Sequence, residues 1–338
     1  MGRTMKPSIL IARAVFPEVL GQLARDFDVT SNQADALWSP TQLIDQLQGK
    51  QGAFTTGSER ITAELLAACP DLKICANMAV GFNNFDLAGM TAAGVLATNA
   101  PGVLTETTAD FGFALLMATA RRMAESEHYL RAGLWSRWRY DMFAGADVHG
   151  STLGILGMGR IGQGIARRGA LGFNMTVLYH NRSRLDATTE AACGASYVSK
   201  AELLQRADHL VLVLPYTAES HHAIGADELA QMKPSATLVN IARGGIVDDA
   251  ALAVALRQGV IAAAGLDVFE GEPAVHPDLL TVPNVVLTPH IASATRPTRL
   301  AMAQLAADNL TSFLLHGKAL TPLNPEVLSQ CANKGLEH

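Results

Sequence analysis

The run Gly157-Met158-Gly159-Arg160-Ile161-Gly162 sits between a short apolar stretch, Thr152 to Leu156, and a helical stretch, Gln163 to Gly169. No other feature constrains the fold so strongly, because glycines at this spacing serve a strand that turns sharply into a helix. The first glycine permits the turn, the second lets backbone approach a pyrophosphate, and the third brings helix and strand together with the helix N-terminus facing the anion. Further apolar runs at Met175 to Tyr179, His209 to Leu214, Thr237 to Ile241, Ala263 to Val268 and Val285 to Thr288 complete a series of six strands. The expectation is a βα domain that binds a dinucleotide.

An earlier βα series precedes it. Ser8 to Ala12, Gly52 to Thr55, Leu72 to Met78 and Val95 to Thr98 read as strands, with Pro17 to Phe27, Ser39 to Leu47, Thr62 to Ala68 and Asp86 to Ala93 as helices between them. From Thr105 to about Leu130 one long helical pattern follows, then an irregular segment from Gly133 to Gly150. Ala294 to Leu315 is a helical run too late to serve the six-stranded series, so it is expected to cross back to the first domain. Residues 1–103 plus 293–335 then form a discontinuous substrate domain, and residues 104–292 the inserted dinucleotide domain.

Composition narrows the partners. With 26 Lys plus Arg against 31 Asp plus Glu, there is no surplus of positive charge for a nucleic-acid face, so a small molecule is expected. Cys69, Cys75, Cys193 and Cys331 lack the spacing of a zinc cage or a disulfide framework. The remaining histidines, His221 and His222 included, show no metal-ligand spacing and read as surface residues. No apolar run approaches a membrane span or a signal sequence, which points to the cytoplasm. The last residues, Leu336-Glu337-His338, look like the start of a purification tag.

About twenty residues beyond the first glycine of such a motif, an acid normally holds the adenosine ribose. Here the chain reads Tyr179-His180-Asn181-Arg182-Ser183-Arg184, and its first acid is Asp186. Arg182 and Arg184, with Ser183 and Asn181 as neutral donors, suit a 2′-phosphate, so NADPH is expected over NADH. Three more segments stand at strand ends, where open α/β sheets bind ligands. Ile241 to Asp248 carries Arg243, Leu266 to Pro273 carries Asp267, Glu270 and Glu272, and Thr288 to Thr295 carries His290. Any one of these is an ordinary loop residue. Together, a bidentate carboxylate binder, an acid-base imidazole and a carboxylate to fix its tautomer fit carbonyl reduction on a carboxylic acid.

With these residues in place the chain resembles the D-isomer-specific 2-hydroxyacid dehydrogenase family over nearly its whole length. Val80-Gly81-Phe82-Asn83-Asn84-Phe85-Asp86 is similar to the family's substrate loop, and Gly154 to Gly162, Ile241 to Asp248, Leu266 to Pro273 and Pro289 to Thr295 follow in the family's order. The resemblance implies a Rossmann-type domain inserted into a flavodoxin-like substrate domain. It implies Arg243, Glu272 and His290 as the catalytic set, and the backbone of Val80 and Gly81 as receivers of the substrate carboxylate. The cofactor surface it implies takes in Gly157, Met158, Gly159, Arg160, Ile161, Gly162, Asn181, Arg182, Ser183, Leu214, Pro215, Ile241, Ala242, Arg243, Asp267 and His290. Ala144 to Gly150 and the basic 180s loop look most like the glyoxylate and hydroxypyruvate reductases and the 2-ketogluconate reductases. Two departures stand out: Arg296-Pro297-Thr298-Arg299 replaces an acid common after the histidine motif, and no acid stands near His180.

Trp135, Trp138, Tyr140, Met142 and Phe143 make an apolar cluster on the irregular arm, too large to leave in water. A homodimer is expected, with Trp138 approaching the neighbour's substrate site as the resemblance implies. The alternative is a dinucleotide-sensing interaction protein like the family's co-repressors, but the chain has no low-complexity tail to match their partner-binding segments.

Overall fold

A computed structural model describes residues 6–329. Cys331 and the terminal Leu336-Glu337-His338 lie outside the described residues. The chain divides into two compact units, one taking in the chain up to Leu104 and again from Thr295, the other running from Thr105 to Ala294.

In chain order the first unit begins β1 (Ser8–Ile11), α1 (Pro17–Asp26), β2 (Asp28–Ser31), α2 (Pro40–Leu47), β3 (Gly52–Thr55), α3 (Ala63–Ala68), β4 (Ile74–Asn77), α4 (Leu87–Ala93) and β5 (Leu96–Thr98). The second unit follows with α5 (Thr105–Ala120), α6 (Met123–Arg131), β6 (Thr152–Leu156), α7 (Arg160–Arg167), β7 (Thr176–His180), α8 (Ala187–Cys193), β8 (Ala195–Tyr197) and α9 (Lys200–Arg206). It continues through β9 (His209–Leu212), α10 (Ala226–Leu229), β10 (Thr237–Asn240), α11 (Asp249–Gln258), β11 (Ala263–Leu266) and β12 (Val285–Leu287). Last comes α12 (Arg296–His316), which belongs to the first unit.

The first unit is a parallel five-stranded sheet, β2-β1-β3-β4-β5. Its central strands are buried on both faces, as parallel strands covered by helices must be. One face packs under α12, where Ala303, Ala306, Ala307 and Leu310 meet Ile9, Ile11, Phe54 and Ile74. The alanines let the helix approach the sheet closely. Thr295 caps α12 by accepting the Thr298 amide, Pro297 sits in its first turn, and Gly317 closes it in the left-handed conformation.

The second unit is a parallel seven-stranded sheet, β12-β11-β10-β9-β6-β7-β8. Both βα series read from the sequence are present, with three corrections. The six expected strands are seven, because Ala195–Tyr197 adds a three-residue edge strand after Gly194, too short to show periodicity. In the first sheet Asp28–Ser31 is also a strand, a half-exposed polar edge without an apolar signature. The long helix from Thr105 is two helices, because Arg122 adopts φ +52° and breaks the pattern. Among the described residues no helix is long and apolar enough to cross a membrane.

Candidate active site

Every strand of the seven-stranded sheet runs the same way, so the loops after β6, β9, β10, β11 and β12 emerge at one edge. The strand β6 lies between β9 and β7, so the order reverses there, and the crevice that such a reversal leaves is where open α/β sheets take ligands. The glycine run leaves β6 at that point.

Gly157 has φ +103°, and a Cβ placed on it would lie 2.6 Å from the Leu214 backbone nitrogen, so only glycine allows the loop to cross the exit of β9. A Cβ on Gly162 would meet the Gly157 carbonyl at 2.4 Å, whereas one on Gly159 would meet nothing within 4 Å. Two glycines therefore hold the turn and the third leaves open backbone. The first turn of α7 has neither a side-chain cap nor an acid, so its amides are not satisfied from within the helix end. These features fit a pyrophosphate. The Met158 side chain is fully buried, so that residue can offer a ligand only its backbone; its amide donates to Asn181 Oδ1 at 2.6 Å. Asn181 thus braces the glycine loop with its carbonyl oxygen. Arg160 is exposed and Ile161 half-buried at the start of α7.

Arg243 follows β10 on a turn built by a buried asparagine that the sequence reading overlooked. Asn240 Oδ1 accepts the Ala242 amide at 3.0 Å and its Nδ2 donates to the Arg243 carbonyl at 3.2 Å. A polar residue ending an otherwise apolar strand was the available signal. Next to it, a Cβ on Gly244 would fall 1.7 Å from the Phe269 carbonyl, so the arginine loop lies directly against the turn that carries the acids. Ile241 and Ala242 are buried beneath that loop. Arg243 is half-buried; burial pulls its pKa down and the charge of Glu272 opposes that pull.

Glu272 Oε2 lies 2.7 Å from His290 Nδ1, and Glu272 Oε1 accepts the Phe269 amide at 2.9 Å. Burial pushes the Glu272 carboxyl up, but the bond to His290, the charge on that ring, the Phe269 amide and Arg243 together bring it below the usual value. The imidazole is nearly half exposed, with Nε2 as its second functional nitrogen. Asp267 builds the histidine loop. It is fully buried, and its carboxylate accepts the amides of Ile291 and Ala292, both at 2.8 Å, and the Thr288 hydroxyl at 2.7 Å. Burial raises its pKa despite those bonds. His290 itself stands at φ +54°, an uncommon conformation for a non-glycine residue.

The basic loop after β7 is less basic than it reads. Arg184 is paired through Nε and Nη2 with the carboxylate of Glu190, at 2.9 and 2.8 Å, and Tyr179 donates to the same carboxylate at 2.7 Å. This corrects the expectation that Arg184 is available to a phosphate: its charge is answered from the next helix. Asp186 caps α8 by accepting the Thr189 amide, so it does not turn back to the strand end. Arg182 and Ser183 are exposed, and among the described residues Arg182 has no hydrogen-bond or ion-pair partner.

Leu214 and Pro215 follow β9 beside the glycine run. Trp138 is 76% exposed on the arm of the second unit. Val80 and Gly81 lie in the other unit just after β4, where Asn99 Nδ2 donates to the Val80 carbonyl at 2.7 Å and Asn77 Nδ2 to the Gly81 carbonyl at 3.1 Å.

Residues 113–292 match the family described as D-isomer specific 2-hydroxyacid dehydrogenase, NAD binding domain. A glyoxylate reductase of Thermococcus onnurineus is 46% identical over 329 residues, 96% of this chain and 98% of that protein. One from Aeropyrum pernix is also 46% identical, over 91% of this chain and 93% of its own length. Among solved structures, an NADPH-dependent glyoxylate/hydroxypyruvate reductase from Sinorhizobium meliloti, in complex with NADP and malonate, superposes with a TM-score of 0.84 at 36% identity, covering 94% of this chain and 97% of that one. The chain belongs to the D-isomer specific 2-hydroxyacid dehydrogenase family.

Proposed function

We propose that the protein reduces small 2-keto acids of the glyoxylate and hydroxypyruvate kind to D-2-hydroxy acids with NAD(P)H, and that NADPH is preferred. The observation that supports this reading most is the 2.7 Å Glu272–His290 pair on the sheet edge that also carries Arg243 and the glycine run. When bound, the reduced nicotinamide supplies a hydride to the keto carbon. Gly157, Gly159, Gly162 and the start of α7 would hold the pyrophosphate, and Arg182 with Ser183 the adenosine end. Arg243, a fixed guanidinium, binds the substrate carboxylate and polarises the carbonyl. Glu272 fixes Nδ1 of His290 and so the orientation of the ring, and Nε2 delivers a proton to the developing alkoxide. Val80 and Gly81 supply backbone donors to the carboxylate.

The preference for NADPH rests on Arg182. Arg184 is paired with Glu190 and offers little charge, while the strand end carries no acid to repel a 2′-phosphate. The homodimer belongs to the same proposal: Leu130, Leu134, Trp135, Trp138 and Tyr140 are exposed together along α6 and the arm that follows, a surface a second copy would cover. The test is a panel of glyoxylate, hydroxypyruvate, pyruvate and 2-ketogluconate with each reduced cofactor, in which glyoxylate and hydroxypyruvate with NADPH are expected to give the highest kcat/KM.

A further inference from the structure

His221, His222 and Glu270 converge beside the loop that follows Arg243, and none of the three is among the residues assigned to reduction. The two histidines follow β9 and its loop, whereas Glu270 lies 48 residues beyond His222, which is why sequence spacing gave no hint of a ligand set. One ligand atom from each of the three falls within 4.8 Å of the others. His222 Nε2 and Glu270 Oε2 are 2.9 Å apart, and the imidazoles of His221 and His222 stack with centroids 3.9 Å apart.

Three features mark this as more than a chance surface cluster. First, the Tyr216 hydroxyl lies 3.1 Å from Nδ1 of His221, within hydrogen-bond reach of that ring. Such a partner fixes the orientation of the His221 ring and leaves its Nε2 as the ligating nitrogen. Second, the backbone under the cluster is fixed from both sides. The His222 amide donates to the Gly245 carbonyl at 2.7 Å, and the Glu270 amide donates to Asp249 Oδ2 at 3.1 Å. Third, His222 is held at φ +49°, a conformation uncommon for a non-glycine residue that surrounding structure must maintain.

Two imidazoles and a carboxylate are the donors of an open tetrahedral zinc site, in which ligand atoms about 2.0–2.2 Å from the ion stand roughly 3.4 Å apart. Closing from 4.8 Å to that span asks for small rotations of side chains that are exposed or half-exposed. We propose that His221, His222 and Glu270 bind one divalent transition-metal ion of the zinc class, with the fourth position left to water. Calcium and magnesium are poor occupants, because they want six or more oxygen ligands and the cluster offers nitrogen.

Calorimetric titration of the full chain with zinc chloride, in a chelator-free buffer, tests this directly. One ion per chain is expected, with affinity falling on the order of 10- to 100-fold or more in His221→Ala and in Glu270→Gln. The cobalt(II) form should show the visible absorption of a four-coordinate ion, lost in His221→Ala. Because His221 takes no part in the proposed reduction, that variant should keep its 2-keto acid reductase turnover, which separates loss of the metal site from loss of fold. Zinc binding that is absent from the wild type, or that keeps its stoichiometry and affinity in both variants, would overturn the proposal.

Discussion

The carbonyl oxygen of Asp267 accepts the backbone N–H of His290 at 2.9 Å, while the carboxylate of the same aspartate takes the next two amides. One buried acid thus sets the whole loop that presents the imidazole. In Asp267→Asn the side chain keeps one acceptor and turns an NH2 toward one of those donors, so the loop must shift. A misplacement of about 1 Å costs on the order of 100-fold in turnover. The fall is expected in kcat, with KM for glyoxylate changed much less. A variant that loses KM and keeps kcat would place Asp267 in substrate binding instead.

The sign of the pH dependence follows from Glu272, whose pKa is lowered. A carboxyl with a lowered folded value stabilises the fold fully above its unfolded value, and that contribution disappears as pH falls through the lowered one. Glu272→Gln should therefore reduce Tm by roughly 1–3 °C at pH 7, a modest figure because the pair is partly exposed. In strong acid the two proteins should melt together. Melting curves that differ equally at pH 7 and in acid would contradict the pairing.

The two arginines of the 180s loop should behave differently. Arg182→Ala is expected to lower kcat/KM for NADPH by roughly 10- to 100-fold, the worth of one hydrogen bond to a charged group, and to leave NADH nearly unaffected. Arg184→Ala breaks the pair with Glu190 and should act mainly on stability. Steady-state kinetics with both cofactors decide it, and equal losses with NADPH and NADH in Arg182→Ala would remove the assignment.

Trp138 and Tyr140 are 76% and 87% exposed, an unusual state for two aromatic residues close together. If a second copy covers them, sedimentation of the wild type gives a dimer at micromolar concentration, and a Trp138→Ala, Tyr140→Ala double variant dissociates more readily. A wild-type monomer under those conditions would end the dimer proposal.

Much of the fold was legible because each element carries its own signal. Asp86 and Gly94 bracket α4 as N-cap and left-handed C-terminus, and Asp248 and Gly259 do the same for α11. The strands that were missed, Asp28–Ser31 and Ala195–Tyr197, are short edges held by a neighbour's hydrogen bonds and not by a buried face of their own. The candidate site was legible in its types, arginine, glutamate and histidine at strand ends, but not in its pairings. Nothing in the spacing of Arg184 and Glu190 says that they neutralise one another, since that depends on α8 folding back beside β7. The same holds for Glu270 and His222, which lie far apart in sequence and meet through the stacking of two loops.

The role proposed for His290, proton donor of 2-keto acid reduction, is tested by single-turnover reduction of glyoxylate by NADPH with the wild type and with His290→Ala. The wild type should consume NADPH and the folded variant should be slower by about 100- to 10,000-fold, the usual loss for a general acid. A folded His290→Ala protein that reduces glyoxylate at the wild-type rate would contradict it.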